Sequence, residues 1–258
     1  MPADFPTGYF GQGTVAPNIY PAFMDGTEVF AVNDALRELA VGFAKTAQLR
    51  DDDDAKLART NYSTTASFAA GAAPPSVIAC DTATSDTFWT GTLLGEAFEN
   101  TTVLFTNGTG VYCMSQQEDS ATLGALLRGS MFELVDFSRI IIMRTGSNFD
   151  RPFAGQSAID NLFNGLDGPS PGFPVALANL ALAGVPVVQG IVNGWKEKFE
   201  HGIQPTNYVG DIFGSLGGQP NFGPGTLFGG KSANAFNDLA RRRRIDGFNP
   251  KQDVMSEL

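Results

Sequence analysis

Apolar residues recur every three or four positions after Asn33, at Leu36, Leu39, Ala40, Phe43, Ala44 and Ala47. This spacing predicts an amphipathic helix, with Asn33 or Asp34 as its amino-terminal cap. The aspartates at 51–54 precede a second helical segment, where acidic residues favour the positive end of the helix dipole. Because consecutive acids point in different directions, we expect a solvated helix start there rather than a metal site. Further helices are predicted at 93–99 and 117–130.

Short apolar runs between these helices predict buried strands at 77–80 and 137–143, and the second run contains three successive isoleucines. The runs 103–105 and 111–114 flank a turn-rich segment. Strands that alternate with helices predict an α/β fold, in which helices cover the faces of a sheet. Ligands of such sheets bind at the carboxyl ends of the strands, so the polar residues that follow these runs are the candidate site.

The longest uncharged stretch, 173–192, is long enough to raise the question of a membrane span. Pro174, Asn179, Pro186 and Gln189 each disfavour a helix exposed to lipid. We therefore predict two half-buried helices joined near 184–186, and no membrane span.

The composition limits which side chains could carry out chemistry and which partners the chain could bind. The 258 residues, 43% of them hydrophobic, are enough for one large domain with a core. The net charge of −10 argues against nucleic acid or anionic lipid as a partner. One histidine and two cysteines exclude a Cys/His zinc cage and a disulfide framework. Any chemistry is expected to rest on carboxylates, amides, hydroxyls and aromatic rings, with no metal ion and no organic cofactor.

The sequence does not identify the cellular compartment of the chain. The first residues have neither the positive segment nor the apolar run of a signal peptide, so we expect the chain as given to be soluble. The sequons at Asn61, Asn100 and Asn107 are close to the number that chance predicts, and they do not decide the compartment. Cys80 and Cys113 are expected in core strands as small hydrophobic residues, with their pairing unresolved.

The first polar cluster contains Ser85, Asp86, Phe88 and Trp89. Asp86 can accept a hydrogen bond from a polar ligand, while Phe88 or Trp89 stacks on a flat ring. The alternative is a helix cap, with both aromatic rings in the core.

The second cluster, at 114–119, includes Gln117 and Glu118 and runs into a helix start, where acids are common for electrostatic reasons alone. The third cluster, at 144–152, contains Arg144, Ser147, Asn148, Asp150 and Arg151. Arginines, hydroxyls and an acid after a buried strand predict recognition of anions or amides. An Arg–Asp pair that merely fixes the loop is the alternative.

Several segments share their order with a known family: 7–10, 26–30, 80–86, 94–100, 117–119, 143–152 and 208–215. In this order they resemble the purine nucleoside permease family, whose members are similar to the nucleoside phosphorylase superfamily. The resemblance runs from about residue 5 to residue 231. It implies an incomplete nucleoside phosphorylase-like domain of three α/β/α layers with a mixed sheet. The domain would occupy 1–232, before a polar, arginine-rich tail at 233–258.

The resemblance also implies that the chain handles a purine nucleoside. Phe88 or Trp89 would face the base, Glu118 would hold the ribose, and Asn148 would assist the departing base, because cleavage through an oxocarbenium-like state needs a hydrogen bond to that base. The candidate catalytic residues are Asn148, Glu118 and Asp86. The candidate substrate-binding residues are Ser85, Phe88, Trp89, Gln117, Arg144, Ser147, Asp150 and Arg151.

Two departures from the family pattern bear on activity. Asn148 stands where the family usually has an aspartate, so an amide can still donate a hydrogen bond but acid catalysis is lost. The family's N-terminal section, with the first strands and a glycine-rich segment that contacts phosphate, has no match here. We expect a shortened domain whose sheet edge favours association, for instance as a homo-oligomer.

The residues and the resemblance together leave three candidate functions. The leading hypothesis is recognition of purine nucleosides during uptake, without turnover. The alternative is a phosphorylase or hydrolase that cleaves the N-glycosidic bond, with inorganic phosphate as co-substrate of the phosphorylase. The third is a cyclase of prenyl diphosphates, in which aromatic rings stabilise a carbocation and Arg144 and Arg151 hold the diphosphate.

Overall fold

The computed structural model describes Tyr9, residues 28–163 and residues 170–213. The helices are α1 (Asp34–Ala44), α2 (Asp53–Thr60), α3 (Thr92–Phe105), α4 (Asp119–Met131), α5 (Ala158–Phe163) and α6 (Phe173–Asn193). The strands are β1 (Phe30–Ala31), β2 (Asp81–Thr84), β3 (Tyr112–Gln116) and β4 (Gly210–Asp211). Short 3₁₀ helices cover Asn61–Thr64, Ala66–Ala72 and Phe137–Arg139, and a π-helical turn covers Trp195–Phe199. Segment 7–10 apart from Tyr9, residues 26–27 of segment 26–30, residues 214–215 of segment 208–215 and the tail at 233–258 lie outside the described residues.

The first two helices begin where their caps predict. Asn33 caps α1 by accepting the backbone N–H of Leu36 at 3.1 Å, and its buried amide also donates to Ile203 O at 2.7 Å. Asp52 caps α2 in the same way, through the N–H of Ala55 at 2.8 Å. Asp51 forms an ion pair with Arg59 in the last turn of α2. The acidic run therefore starts a helix, as predicted.

The fold is mixed α/β, as the sequence predicts at this coarser level. β2 and β3 pair in parallel, with Thr84 opposite Gln116, and β1 pairs with β4 antiparallel. Parallel pairing brings the carboxyl ends of β2 and β3 to the same edge.

Two strand predictions are wrong: the first strand is displaced along the chain, and the second segment is not a strand. Residues 77–80 are irregular, and pairing begins at Asp81, whose carboxylate accepts the N–H of Val111 at 2.7 Å. Residues 137–143 contain a 3₁₀ turn followed by an irregular segment, and no strand of the described residues pairs with them. Residues 103–105, before the turn, continue α3.

The isoleucine run nevertheless alternates between two cores, which explains its strand-like pattern. Ile140 and Ile142 pack against a cluster that includes Leu127 and Phe137. Ile141 and Met143 pack against Ala40, Ala44, Ala183 and Val187, which join α1 to α6. Burial on both sides requires apolar residues at every position, whether or not a neighbouring strand supplies hydrogen bonds.

The prediction of two helices at 173–192 is wrong, because α6 is one continuous helix with Pro186 inside it. Ala183 and Val187, on either side of Pro186, are both buried against α1. This packing holds the turns before and after the proline in line, which offsets the hydrogen bond that proline removes.

The expectation for the cysteines is also wrong. Cys80 and Cys113 form a disulfide, with Cα atoms 5.9 Å apart. Cys113 is exposed on β3 and Cys80, just before β2, is half-buried, so neither is a core residue. The bond joins the amino-terminal ends of the two parallel strands.

Candidate functional site

The carboxyl ends of β2 and β3 are tied to the start of α4 by Gln116. Its side-chain oxygen accepts the backbone N–H groups of Glu118 and Asp119, both at 2.7 Å. Its side-chain nitrogen donates to Thr84 Oγ1 at 2.7 Å. Thr84 Oγ1 also accepts the N–H of Ser120 at 3.0 Å. One amide therefore fixes both strand ends against the helix that follows.

Arg144 joins the second polar cluster to the third. Its Nε lies 3.0 Å and its Nη2 2.5 Å from Asp119 Oδ1, and its Nη1 lies 2.9 Å from Glu118 Oε2. The second carboxylate oxygen of Asp119 accepts the hydroxyl of Thr82 at 3.1 Å. Burial disfavours the charged guanidinium, but the hydrogen bonds and charge of Asp119 hold the pKa of Arg144 above its ordinary value. We call Thr84, Gln116, Asp119 and Arg144 the anchored cluster.

A cavity of about 1160 Å³ lies beside this cluster. Its walls include residues of α1, α6 and β2 and the segment 140–149. The predicted site residues that line it are Phe88, Arg144, Ser147 and Asn148. The side chains of Phe88 and Asn148 are exposed and that of Ser147 is half-buried. We call Phe88, Ser147 and Asn148 the open face.

Three predicted residues of the first cluster lie outside the cavity lining. Ser85 closes a local turn, with its hydroxyl donating to Thr87 O at 2.9 Å. Asp86 is exposed. Trp89 is buried and stacks on Phe98 with ring centroids 4.6 Å apart. The alternative interpretation is met only in part: Trp89 lies in the core, but Phe88 is exposed, and α3 begins after Gly91 without a side-chain cap.

Four further predicted residues also lie outside the lining. Gln117 is exposed, and Glu118 reaches the site only through Arg144. Asp150 accepts the hydroxyl of Tyr112 at 2.8 Å, and Arg151 donates to Glu99 at 2.9 Å and to Gly95 O at 2.8 Å. Asp150 and Arg151 thus fix their loop to β3 and α3.

The sequence pattern did not predict several residues that line the cavity. Tyr62 stacks on Phe149 with ring centroids 3.8 Å apart and donates its hydroxyl to Arg151 O at 2.8 Å. Burial, with the charge of Asp150 adding to it, raises the pKa of Tyr62 to about 12. Asn161 donates to Phe149 O at 3.1 Å. Tyr62 lies 87 positions before Phe149 in the chain, so no local pattern could have joined them.

The lining contains three arginines among the described residues, Arg37, Arg59 and Arg144. Arg37 pairs with Asp34 at 2.5 Å and Arg59 pairs with Asp51. Each lining arginine is thus already neutralised by a carboxylate of the same chain. No group of three or more His, Cys, Asp or Glu side chains suited to a metal ion occurs in the described part of the chain.

One described helix, α6, is long and apolar enough to cross a membrane by length and composition alone. Core helices of soluble proteins pass the same test, and 28% of its apolar window is buried here. Leu177, Val185, Val188 and Val192 are exposed along it.

The fold is thus mixed α/β, with a polar and aromatic cavity that extends along β2. The family model described as purine nucleoside permease matches residues 1–204, and the chain belongs to this family. A purine nucleoside permease of Candida albicans is 44% identical over 224 residues, covering 85% of this chain and 53% of the relative.

A probable purine nucleoside permease of Schizosaccharomyces pombe is 38% identical over 190 residues, which is 73% of this chain and 53% of the relative. The chain therefore spans about half the length of the curated relatives that it matches. No solved structure matches it.

Proposed function

We propose that this chain recognises purine nucleosides for uptake, within the cavity beside the anchored cluster, and that its layers follow the nucleoside phosphorylase-like arrangement. Family membership supports the substrate class, since the relatives are named as purine nucleoside permeases. The cavity is roomy enough for a nucleoside, because ligand pockets measure roughly 300–1,000 Å³.

The open face matches the two parts of a nucleoside. Phe88 is an aromatic side chain able to stack on a purine ring. Asn148 offers both a donor and an acceptor, which suits the nitrogen and exocyclic groups of a purine, and Ser147 offers a hydroxyl for the ribose. Asn148 makes no hydrogen bond within the described chain, so its amide is available to a ligand.

Neutralised arginines are the observation that carries the proposal. A phosphate or diphosphate group is held by cationic side chains that keep charge to spare for it. Arg37, Arg59 and Arg144 are each paired with a carboxylate, so this wall favours an uncharged ligand. This supports nucleoside recognition over phosphorolysis and over a prenyl diphosphate substrate.

Purified chain incubated with inosine and adenosine, with and without phosphate, tests the proposal by calorimetry and by chromatography of free base. We expect saturable binding of both nucleosides, weaker binding of uridine and no released base. Phe88→Ala should weaken binding about fivefold to tenfold, by loss of stacking. Phe132→Ala, which removes a comparably exposed ring outside the cavity lining, is the matched control. Release of base that depends on phosphate would instead establish a phosphorylase.

A further inference from the structure

The disulfide between Cys80 and Cys113 bears on where the chain folds. Disulfides form and persist in oxidising compartments and are rare in the cytosol of mesophilic organisms. Both cysteines of the chain are used in this bond. The curated relatives are fungal, and in a fungal cell the oxidising folding compartment is the secretory lumen. This is also the compartment in which asparagine side chains receive glycans.

The three sequons differ in what the fold leaves available. Asn61 and Ser63 are exposed in the turn after α2, while Tyr62 between them is buried with 5% of its surface exposed. The inward tyrosine fixes the turn; Ser63 is exposed outside the cavity lining, and Asn61 belongs to the lining but is itself exposed to solvent. The side chain of Asn61 donates to Ala58 O at 3.1 Å, at the surface.

The other two sequons are more enclosed. Asn100 lies inside α3, is half-buried and donates to Glu96 O at 2.8 Å. Asn107 has a left-handed backbone with φ of 57°, and its side-chain oxygen is buried. A glycan is bulky and hydrated, so it requires an acceptor that faces solvent in the folded protein.

We propose that Asn61 is an N-glycosylation site and that the chain matures in an oxidising secretory lumen. A lipid-linked oligosaccharyl diphosphate is the donor. The bond between the anomeric carbon and the diphosphate oxygen breaks, and a bond from that carbon to Asn61 Nδ2 forms. The amide proton passes to the released lipid diphosphate. In the same compartment the thiols of Cys80 and Cys113 give two electrons and two protons to an oxidoreductase disulfide, which is reduced to two thiols.

Peptide mass spectrometry on the full chain, isolated from cells that naturally make it with free thiols alkylated at lysis, tests the proposal. Glycosidase treatment in heavy-oxygen water should convert Asn61 into a labelled aspartate. The peptides of Cys80 and Cys113 should be recovered joined and not alkylated. An Asn61 found unmodified overturns the proposal, whatever the state of the cysteines.

A matched pair of variants separates glycosylation from folding. Ser63→Ala removes the hydroxyl that the sequon requires and leaves Asn61 in place, so the chain should lose the mass of one glycan. Ser63→Thr keeps the sequon and should retain that glycan. A glycan retained by Ser63→Ala contradicts the assignment, and secretion of both variants shows that they fold.

Discussion

Two groups of cavity-lining side chains, the anchored cluster and the open face, differ in how firmly the chain holds them. In the anchored cluster, Gln116, Asp119 and Arg144 each make two or more hydrogen bonds within the chain. On the open face, Asn148 makes none within the described residues, and Phe88 exposes 57% of its surface.

On the proposed function, this contrast distinguishes residues that support the fold from residues that would contact the ligand. A side chain whose donors and acceptors are all satisfied by its own chain has little left to offer a ligand, whereas its loss leaves buried partners unsatisfied. An exposed side chain without partners contributes little to folding and is free to bind. We therefore expect substitutions in the anchored cluster to lower the free energy of unfolding, and substitutions on the open face to lower affinity.

The largest effect on stability should come from removing the disulfide that staples β2 to β3. A closed loop of about 33 residues predicts that Cys80→Ala with Cys113→Ala lowers the free energy of unfolding by about 3 to 4 kcal/mol. Urea denaturation, with the oxidised chain as reference, measures the loss. A loss below about 1 kcal/mol would show that the two strands are held by their other contacts.

Asp119→Asn should follow, because it removes the charge that compensates Arg144 and weakens three hydrogen bonds. We expect a loss of about 2 kcal/mol, since the Arg144 side chain keeps 32% of its surface in water. Glu118→Gln is the control: its side chain is 60% exposed, so its loss should stay below about 1 kcal/mol. Equal losses for the two variants, measured by urea denaturation, would remove the distinction between buried anchor and surface pair.

Asn148→Ala should weaken nucleoside binding about fivefold to tenfold, the value of one or two amide hydrogen bonds. Its free energy of unfolding should change by less than about 0.5 kcal/mol, as for other surface substitutions. Calorimetric titration with inosine, beside urea denaturation of the same sample, checks both expectations. Lost stability with unchanged affinity would assign Asn148 to the scaffold.

The last prediction concerns the dependence of folding stability on pH, which these tyrosines affect only at alkaline pH. Burial raises the pKa of Tyr62 to about 12 and also raises the pKa of Tyr112, above the ordinary value of 10.0. The unfolded chain therefore loses these protons at lower pH than the folded chain, so stability is complete below pH 10 and falls as pH rises toward 12. Tyr62→Phe should reduce this fall, as followed by urea denaturation across the range. An unchanged pH profile would contradict the assignment.

Local signals predicted where α1 and α2 begin, but they misplaced the strands. The cap of α1 at Asn33 and the polar residues after β2 and β3 depend on neighbours within a few positions, which a sequence displays. The run at 137–143, which contains Ile140, Ile141 and Ile142, was interpreted as a strand because burial on two sides and pairing in a sheet leave the same apolar pattern.

The candidate site was predicted only in part, because contacts between residues far apart in the sequence determine which side chains line the cavity. Trp89 and Phe88 are adjacent in sequence, yet one stacks in the core and the other lines the cavity. Arg151 and Arg144 looked equivalent, but their partners, Glu99 and Asp119, are 52 and 25 positions away. Such pairings depend on tertiary packing, which residue types and spacing alone do not encode.

The most direct test of the central claim compares inosine with its 5′-monophosphate by calorimetry on the same preparation. Because the lining arginines of the described chain are already paired with carboxylates, inosine should bind at least about tenfold more tightly than the charged form. Tighter binding of the monophosphate would show that an arginine of the cavity is available to phosphate, and would contradict recognition of the uncharged nucleoside.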